Sequence, residues 1–265
     1  MHVLVLGGTS EARQLAVKLD GLHGTTVTSS LAGRVADPVL PVGEVRIGGF
    51  GGVDGLREWI AEHEVTHVVD ATHPYAATMT AHAVEVCTAA DVPLVLVRRA
   101  PWSPLAEDDW ITVPSMEAAA QALADRPALA RVLLTIGRQG VHHFASLDDR
   151  HFIVRCIDPP EGEVPAHSSI LESRGPFDLE GERKLLDEHR IDVVVSKNSG
   201  GKLTSAKLQA ARERGIPVVM VERPPVQDDV PVVPAADKCV TWLLKRRTPR
   251  AAPDAGDGID GVVTP

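Results

Sequence analysis

Three observations predict an α/β protein with parallel sheets arranged in two halves. Short apolar runs alternate with segments of helical periodicity, the pattern of strands buried on both faces beneath helices. Several of the runs end in turns rich in glycine or hydroxyls that lead into a helix, where open parallel sheets bind ligands. A proline-rich break, Arg99-Ala100-Pro101-Trp102-Ser103-Pro104, interrupts the alternation. Residues 1–100 and 101–247 are therefore expected to form two domains with a cleft between them.

In the first half, residues 2–6 form an apolar run that ends in Gly7-Gly8-Thr9. Leu15, Ala16 and Leu19 then recur at helical spacing. Such a turn points backbone N–H groups and a helix dipole at a phosphate, although it falls short of GxGxxG and also suits a turn with no ligand. The next strand, residues 25–30, leads to Leu31-Ala32-Gly33-Arg34. A dinucleotide site places an acid here for the ribose 2′-hydroxyl, or an Arg for a 2′-phosphate. No acid stands between Asp20 and Asp37, so if the first turn holds a dinucleotide Arg34 favours the 2′-phosphate of NADPH; a solvated surface charge is the competing reading. A strand over 44–47 precedes Gly48-Gly49-Phe50-Gly51-Gly52, where the glycines imply close backbone approach. A helix over 53–64 leads to a buried strand at 65–69 and the turn Asp70-Ala71-Thr72-His73-Pro74-Tyr75. Pro74 stiffens that turn and biases His73 toward an extended backbone. It presents an acid, a hydroxyl, an imidazole and a phenol; the competing reading is that Thr72 or His73 merely caps the helix over 76–90. A strand over 93–98 completes the half.

In the second half, strands are expected at 110–113, 132–136, 151–157, 168–171, 192–195 and 217–221. Helices are expected at 116–124, before His189, and at 205–214 and 235–246. Gly137-Arg138-Gln139-Gly140 is a glycine turn with a cation. Ser196 to Thr204 resembles a phosphate-binding loop, but Ser196 stands where its first glycine belongs and Leu203 where magnesium needs Ser or Thr. Its cations, hydroxyls, amide and glycines still suit carboxylates or phosphates. Residues 248–265 have no periodicity and are expected to be disordered.

Composition narrows the function. A net charge of −9 disfavours nonspecific nucleic-acid or anionic-membrane binding, and four Trp, four Phe and one Tyr leave little for base stacking. Cys87, Cys156 and Cys239 lie far apart, the histidines form no ligand pattern, and no metal is expected. There is no leader and no apolar run near the roughly 18 residues of a membrane span, so a cytoplasmic protein is expected.

In order and spacing, these motifs resemble the precorrin-6A reductase family of cobalamin biosynthesis. The markers are Gly7-Gly8-Thr9 with Glu11, Ser30 to Arg34, the glycines of 48–52, Asp70 to Pro74, Ser173-Arg174-Gly175-Pro176, Lys197 to Lys202, and Arg223-Pro224. The resemblance implies two Rossmann-like domains with an interdomain cleft, and reduction by NADPH of one double bond of precorrin-6A to give precorrin-6B. Hydride would pass to one ring carbon and a proton to its neighbour, with no metal. Gly7, Gly8, Thr9, Ser30, Gly33, Arg34 and Thr72 are then the cofactor candidates. Tyr75, Arg138, Arg174, Asn198, Ser199, Gly200, Gly201, Lys202 and Thr204 are the candidates for binding the polycarboxylate macrocycle. His73 and Lys197 are the catalytic candidates, as proton donor or in positioning; water is a third proton source. A monomer is the expected assembly.

Three alternatives stay open at this level: an NADH-dependent reductase of the cobalt-containing precursor, another NAD(P)-dependent reductase, and a silent NADP-sensing module. Against a short-chain carbonyl reductase, the position four after Tyr75 is Met79 where a Lys is required.

Overall fold

The computed structural model describes residues 1–33, 36–227 and 229–247. Arg34 and the expected disordered tail lie outside the described residues. The first sheet contains β1 (His2–Leu6), β2 (Thr26–Leu31), β3 (Glu44–Ile47), β4 (His67–Asp70) and β5 (Leu94–Val97). Its helices are α1 (Ser10–Asp20), α2 (Gly52–Glu62) and α3 (Ala77–Ala89). The second sheet contains β6 (Trp110–Val113), β7 (Arg131–Thr135), β8 (His151–Cys156), β9 (Ser168–Glu172), β10 (Val193–Lys197) and β11 (Val218–Val221). With it go α4 (Met116–Ala124), α5 (Leu179–Glu188) and α6 (Ala206–Glu213); β12 (Val232–Val233) and α7 (Ala236–Arg246) follow.

Alternation along each strand produces two cores per sheet. On β1, Val3 and Val5 pack with Leu15 and Leu19 of α1 and Leu243 of α7, while Leu4 and Leu6 meet Leu56, Ile60 and Val86 across the other face. In the second sheet, Val132 and Leu134 face Leu123 and Phe144, and Leu133 faces Leu186 and Leu208. Strands buried on both faces read as continuous apolar runs, which is why the sequence displays them.

Every strand pairing is parallel. The orders are β12-β5-β4-β1-β2-β3 and β6-β11-β10-β7-β8-β9. Each sheet is thus a Rossmann-like five-strand set with a sixth strand beside the fifth. Those sixth strands are exchanged. β6 follows β5 along the chain yet pairs with β11; β12 follows β11 yet pairs with β5. The expected division at residue 100 therefore does not follow sheet membership, since 232–246 belongs with the first sheet. The reason is packing: α7 buries Ala236, Cys239 and Leu243 against α1 and β5, and Lys18 pairs with Asp237 at 2.7 Å.

Two elements were not expected: the short strand β12 (Val232–Val233), and a 3₁₀ helix over Arg138–Phe144, which buries Val141 and Phe144. Seven residues are too few to show a helical period. Among the described residues, no helix is long and apolar enough to cross a membrane.

Candidate functional site

In parallel sheets the ligand crevice opens at the carboxyl ends of two adjacent strands whose connections run in opposite directions. These are β1 and β4 in the first sheet, and β7 and β10 in the second. Their four loops carry Gly7-Gly8-Thr9, the Asp70 turn, Gly137-Arg138 and the stretch from Asn198 to Gly201.

At the first loop, Gly8 adopts φ 109°, and a Cβ there would meet nothing within 4 Å. The turn is open on the side where a phosphate would approach the α1 N-terminus, so it fits a dinucleotide. Thr9 turns its hydroxyl inward: it accepts from Ala12 N at 3.1 Å, capping α1, and donates to Ala71 O at 2.7 Å. Gly7 N donates to Ser30 O at 2.8 Å, joining the turn to the end of β2.

The Asp70 turn is held by a saturated carboxylate. Asp70 is wholly buried. Its Oδ1 accepts from Thr72 N at 2.9 Å and Thr72 Oγ1 at 2.6 Å; its Oδ2 accepts from Arg98 at 2.6 Å and Thr80 Oγ1 at 2.7 Å. Helix α3 begins at Ala77 with Ala76 as its cap and no side-chain capping bond. The helix-cap reading of Thr72 and His73 is therefore overturned: Asp70 captures Thr72, and His73 precedes the helix by a full turn. His73 Nδ1 accepts from Tyr75 N at 3.4 Å, which leaves Nε2 as the N–H of a neutral ring. Burial pushes the His73 pKa down to about 3, helped by Lys197, Arg99, Arg223 and Arg98.

Tyr75 bolts the two sheets together. Its hydroxyl donates to Val221 O at the end of β11 and accepts from Asn198 N at 2.7 Å. Burial raises the phenol to about 12, so it remains a donor. Lys197 Nζ lies 5.4 Å from the centre of the Tyr75 ring. Burial pushes that ammonium down to about 8.

The loop beyond Lys197 is organised by the connector between the sheets. Asn198 Oδ1 accepts from Trp102 N at 2.7 Å and its Nδ2 donates to Trp102 O at 3.0 Å. Arg223 donates to Asn198 O at 2.8 Å, Ser199 O at 2.9 Å and Arg99 O at 2.7 Å. Arg99 donates to Ser199 O at 2.7 Å and to the Glu11 carboxylate at 2.8 and 3.0 Å. Burial would raise the Glu11 carboxyl, but the Arg99 hydrogen bond and charge reverse this and hold it below its usual value. Gly200, at φ 68°, would place a Cβ 2.1 Å from Ala100 O. Close approach of the connector thus accounts for that glycine.

The structure therefore gathers His73, Tyr75, Lys197, Asn198, Ser199 and Gly200 at the junction of the sheets. Gly201 adjoins them, its carbonyl accepting from Trp102 Nε1 at 2.9 Å. Other candidates have different partners. Arg138 pairs with Glu161 at 2.8 Å, and Arg174 donates to Asp37 O at 2.7 Å. Thr204 O accepts from Lys207 at 3.0 Å, and Lys202 is exposed. Gly33 packs its backbone against Gly48. Arg98, Arg99 and Arg223 were not among the candidates, although they frame the site. The signal was present as adjacent arginines at the end of β5 and one just after β11.

Sheet order and loop geometry together define a doubly wound α/β protein of two Rossmann-like sheets whose carboxyl-end loops meet. The chain belongs to the precorrin-6x reductase CbiJ/CobK family, whose model matches residues 2–244. The precorrin-6A reductase of Rhodococcus erythropolis is 49% identical over 248 residues, covering 93% of this chain and 99% of that one. The cobalt-precorrin-6A reductase of Methanothermobacter thermautotrophicus is 32% identical, covering 85% of this chain and 78% of that one. A solved structure of CobK precorrin-6A reductase superposes with a TM-score of 0.86 at 42% identity, covering 95% of this chain and all of the other.

Proposed function

We propose that this chain reduces one double bond of precorrin-6A with NADPH, giving precorrin-6B in cobalamin biosynthesis, and does so in the cytoplasm. The observation that carries the reading is the meeting of the two sheets at one point. There a half-buried ammonium, Lys197, faces a rigid turn that Thr9 ties to an open glycine turn. NADPH, when bound, supplies the hydride. Gly7, Gly8 and the first backbone N–H groups of α1 would hold its phosphates, with Arg34 at the ribose.

The residues divide the remaining work by their electrostatics. His73 is neutral at physiological pH and suits positioning, its Nε2–H serving as a hydrogen-bond donor. Lys197 is the better proton source, because an acid with a pKa of about 8 is charged at pH 7 yet gives up its proton readily. Arg98 and Arg99 are balanced by Asp70 and Glu11, so Arg223, whose partners are carbonyls, supplies positive potential for a polycarboxylate with Lys197 and exposed Lys202.

Identity favours the metal-free substrate. Relatives named precorrin-6A reductase share 49% and 46% of their residues with this chain, and those named for the cobalt form share 28% and 32%. Anaerobic turnover of precorrin-6A with NADPH and with NADH tests the reading. Loss of nicotinamide absorbance matched by macrocycle reduction, faster with NADPH, is expected. No turnover, or equal rates with the two cofactors, would overturn it.

A further inference from the structure

Lys207 is a cation in a place that disfavours one. It is the second residue of α6, where the helix dipole opposes positive charge, and it is 4% exposed. Two charged side chains act on it: Arg155 of β8 repels it and Glu182 of α5 attracts it. Glu182 is already engaged, its Oε1 accepting from Arg155 at 2.6 Å, and among the described residues its buried Oε2 has no hydrogen-bond partner. No ion pair joins Glu182 to Lys207 among those residues. Burial pushes the Lys207 ammonium down to about 7, and Arg155 adds to the shift. An apolar side chain of similar length would avoid these penalties, because replacing a buried charge in this way is often neutral or stabilising. Stability therefore does not explain the lysine.

Its contacts do. Nζ donates to Thr204 O at 3.0 Å, at the end of the loop that follows β10. It also lies 5.0 Å from the centre of the Trp102 ring. Trp102 in turn holds the front of the loop: its backbone bonds the Asn198 side chain twice, and its Nε1 donates to Gly201 O at 2.9 Å. One buried ammonium thus restrains the loop at both ends, directly at Thr204 and through an indole at Asn198 and Gly201. Arg155 supports the same segment, stacking at 4.0 Å on Phe177, whose N donates to Leu203 O at 3.3 Å. We propose that Lys207 is a positioning residue for the reaction: from beneath, its charge holds loop 198–204 in the shape that receives the macrocycle. The inference rests on the macrocycle reading of this loop given above.

Two measurements test it, one of them free of ligand. In hydrogen exchange, residues 198–204 of Lys207→Met should exchange roughly 10-fold faster than in the unmodified chain, the lower end of the worth of a hydrogen bond to a charged group. Protection in β7 and β10 should hold, and the urea midpoint should hold or rise. In turnover, KM for precorrin-6A should rise by a similar factor while kcat stays within about twofold. Calorimetric binding of NADP⁺ should not change. Lys207→Arg keeps the charge and can stack on the indole, so it should recover part of both effects. Lys207→Gln, also uncharged, should behave as Lys207→Met does and decides the matter if that variant fails to fold. Unchanged exchange in the loop would remove Lys207 from positioning. Faster exchange across the whole second sheet, with a lower urea midpoint, would reduce it to a brace of the fold; either result overturns the inference. A loop that loosens with no change in KM would overturn this inference alone. An unmodified chain that does not turn over precorrin-6A would overturn the functional reading first, and this inference with it.

Discussion

Lys197 and His73 lie on either side of the sheet junction, and burial acts on them with different consequences. A Lys pushed down to about 8 stays charged through neutrality and becomes a usable acid; a His pushed down to about 3 remains neutral. If Lys197 delivers the proton, Lys197→Met should cut kcat by roughly 10²–10⁴ and remove a fall in rate above about pH 8. A pH–rate profile that keeps its alkaline limb in the variant would reject that role. For His73 the readout is stability. Between pH 6.5 and about 3 the unfolded chain binds a proton at this ring that the folded chain does not, so stability is present above 6.5 and lost as pH falls. His73→Asn should therefore lose less stability on acidification, measured as urea midpoints at about pH 7 and about pH 4.5. Equal falls in both proteins would contradict the buried neutral ring. Asp70 makes the complementary case, because removing its charge strands Arg98. Asp70→Asn should cost about 3–5 kcal/mol by denaturant unfolding, the range for breaking a buried ion pair from one side.

At the scale of elements, the loop after β10 is fitted to the connector more tightly than a solvated ligand loop would be. Gly200→Ala forces a methyl group onto Ala100 O and an L-residue into positive φ, so a loss of about 1–3 kcal/mol is expected. Macrocycle affinity should fall with it, while calorimetric binding of NADP⁺ at the first sheet should hold. Weakening of both ligands alike would show that the loop's effect is not local. The same loop marks the limit of what the sequence reveals. The strands were legible because burial on both faces leaves unbroken apolar runs, such as Val193 to Val195, and the β3 bounds at Glu44–Ile47 fall where the pattern puts them. The loops were legible as places but not as partnerships. Asn198, Gly200 and Tyr75 carry the chemistry of ligand contacts, yet their polar groups or space are taken by Trp102, Ala100 and Val221. Such contacts join residues up to 146 positions apart, and no local spacing encodes them. The arginines escaped for the same reason: an Arg at a strand end reads as solvated until its carbonyl partners are seen.

For the molecule as a whole, the exchange of β6 and β12 means that neither half is a continuous stretch of chain. Val97 and Leu19 of the first half are covered by residues near the C-terminal end of the described chain. A chain ending at residue 231 should therefore lose hydrogen-exchange protection in β5 and α1 while β7 and β10 keep theirs. Retained protection in α1 would show that the first sheet does not depend on α7. The crossing also bears on biosynthesis. In a protein of sequential domains, the amino-terminal unit can fold while the remainder is still being translated. Here the first five strands leave the ribosome with one sheet edge and one helical face unfinished, and both stay so until β12 (Val232–Val233) and α7 (Ala236–Arg246) have been made. Translation of β6 to β11 is the interval in which that apolar face must avoid other partners, so a stall there should make the nascent chain most dependent on chaperones.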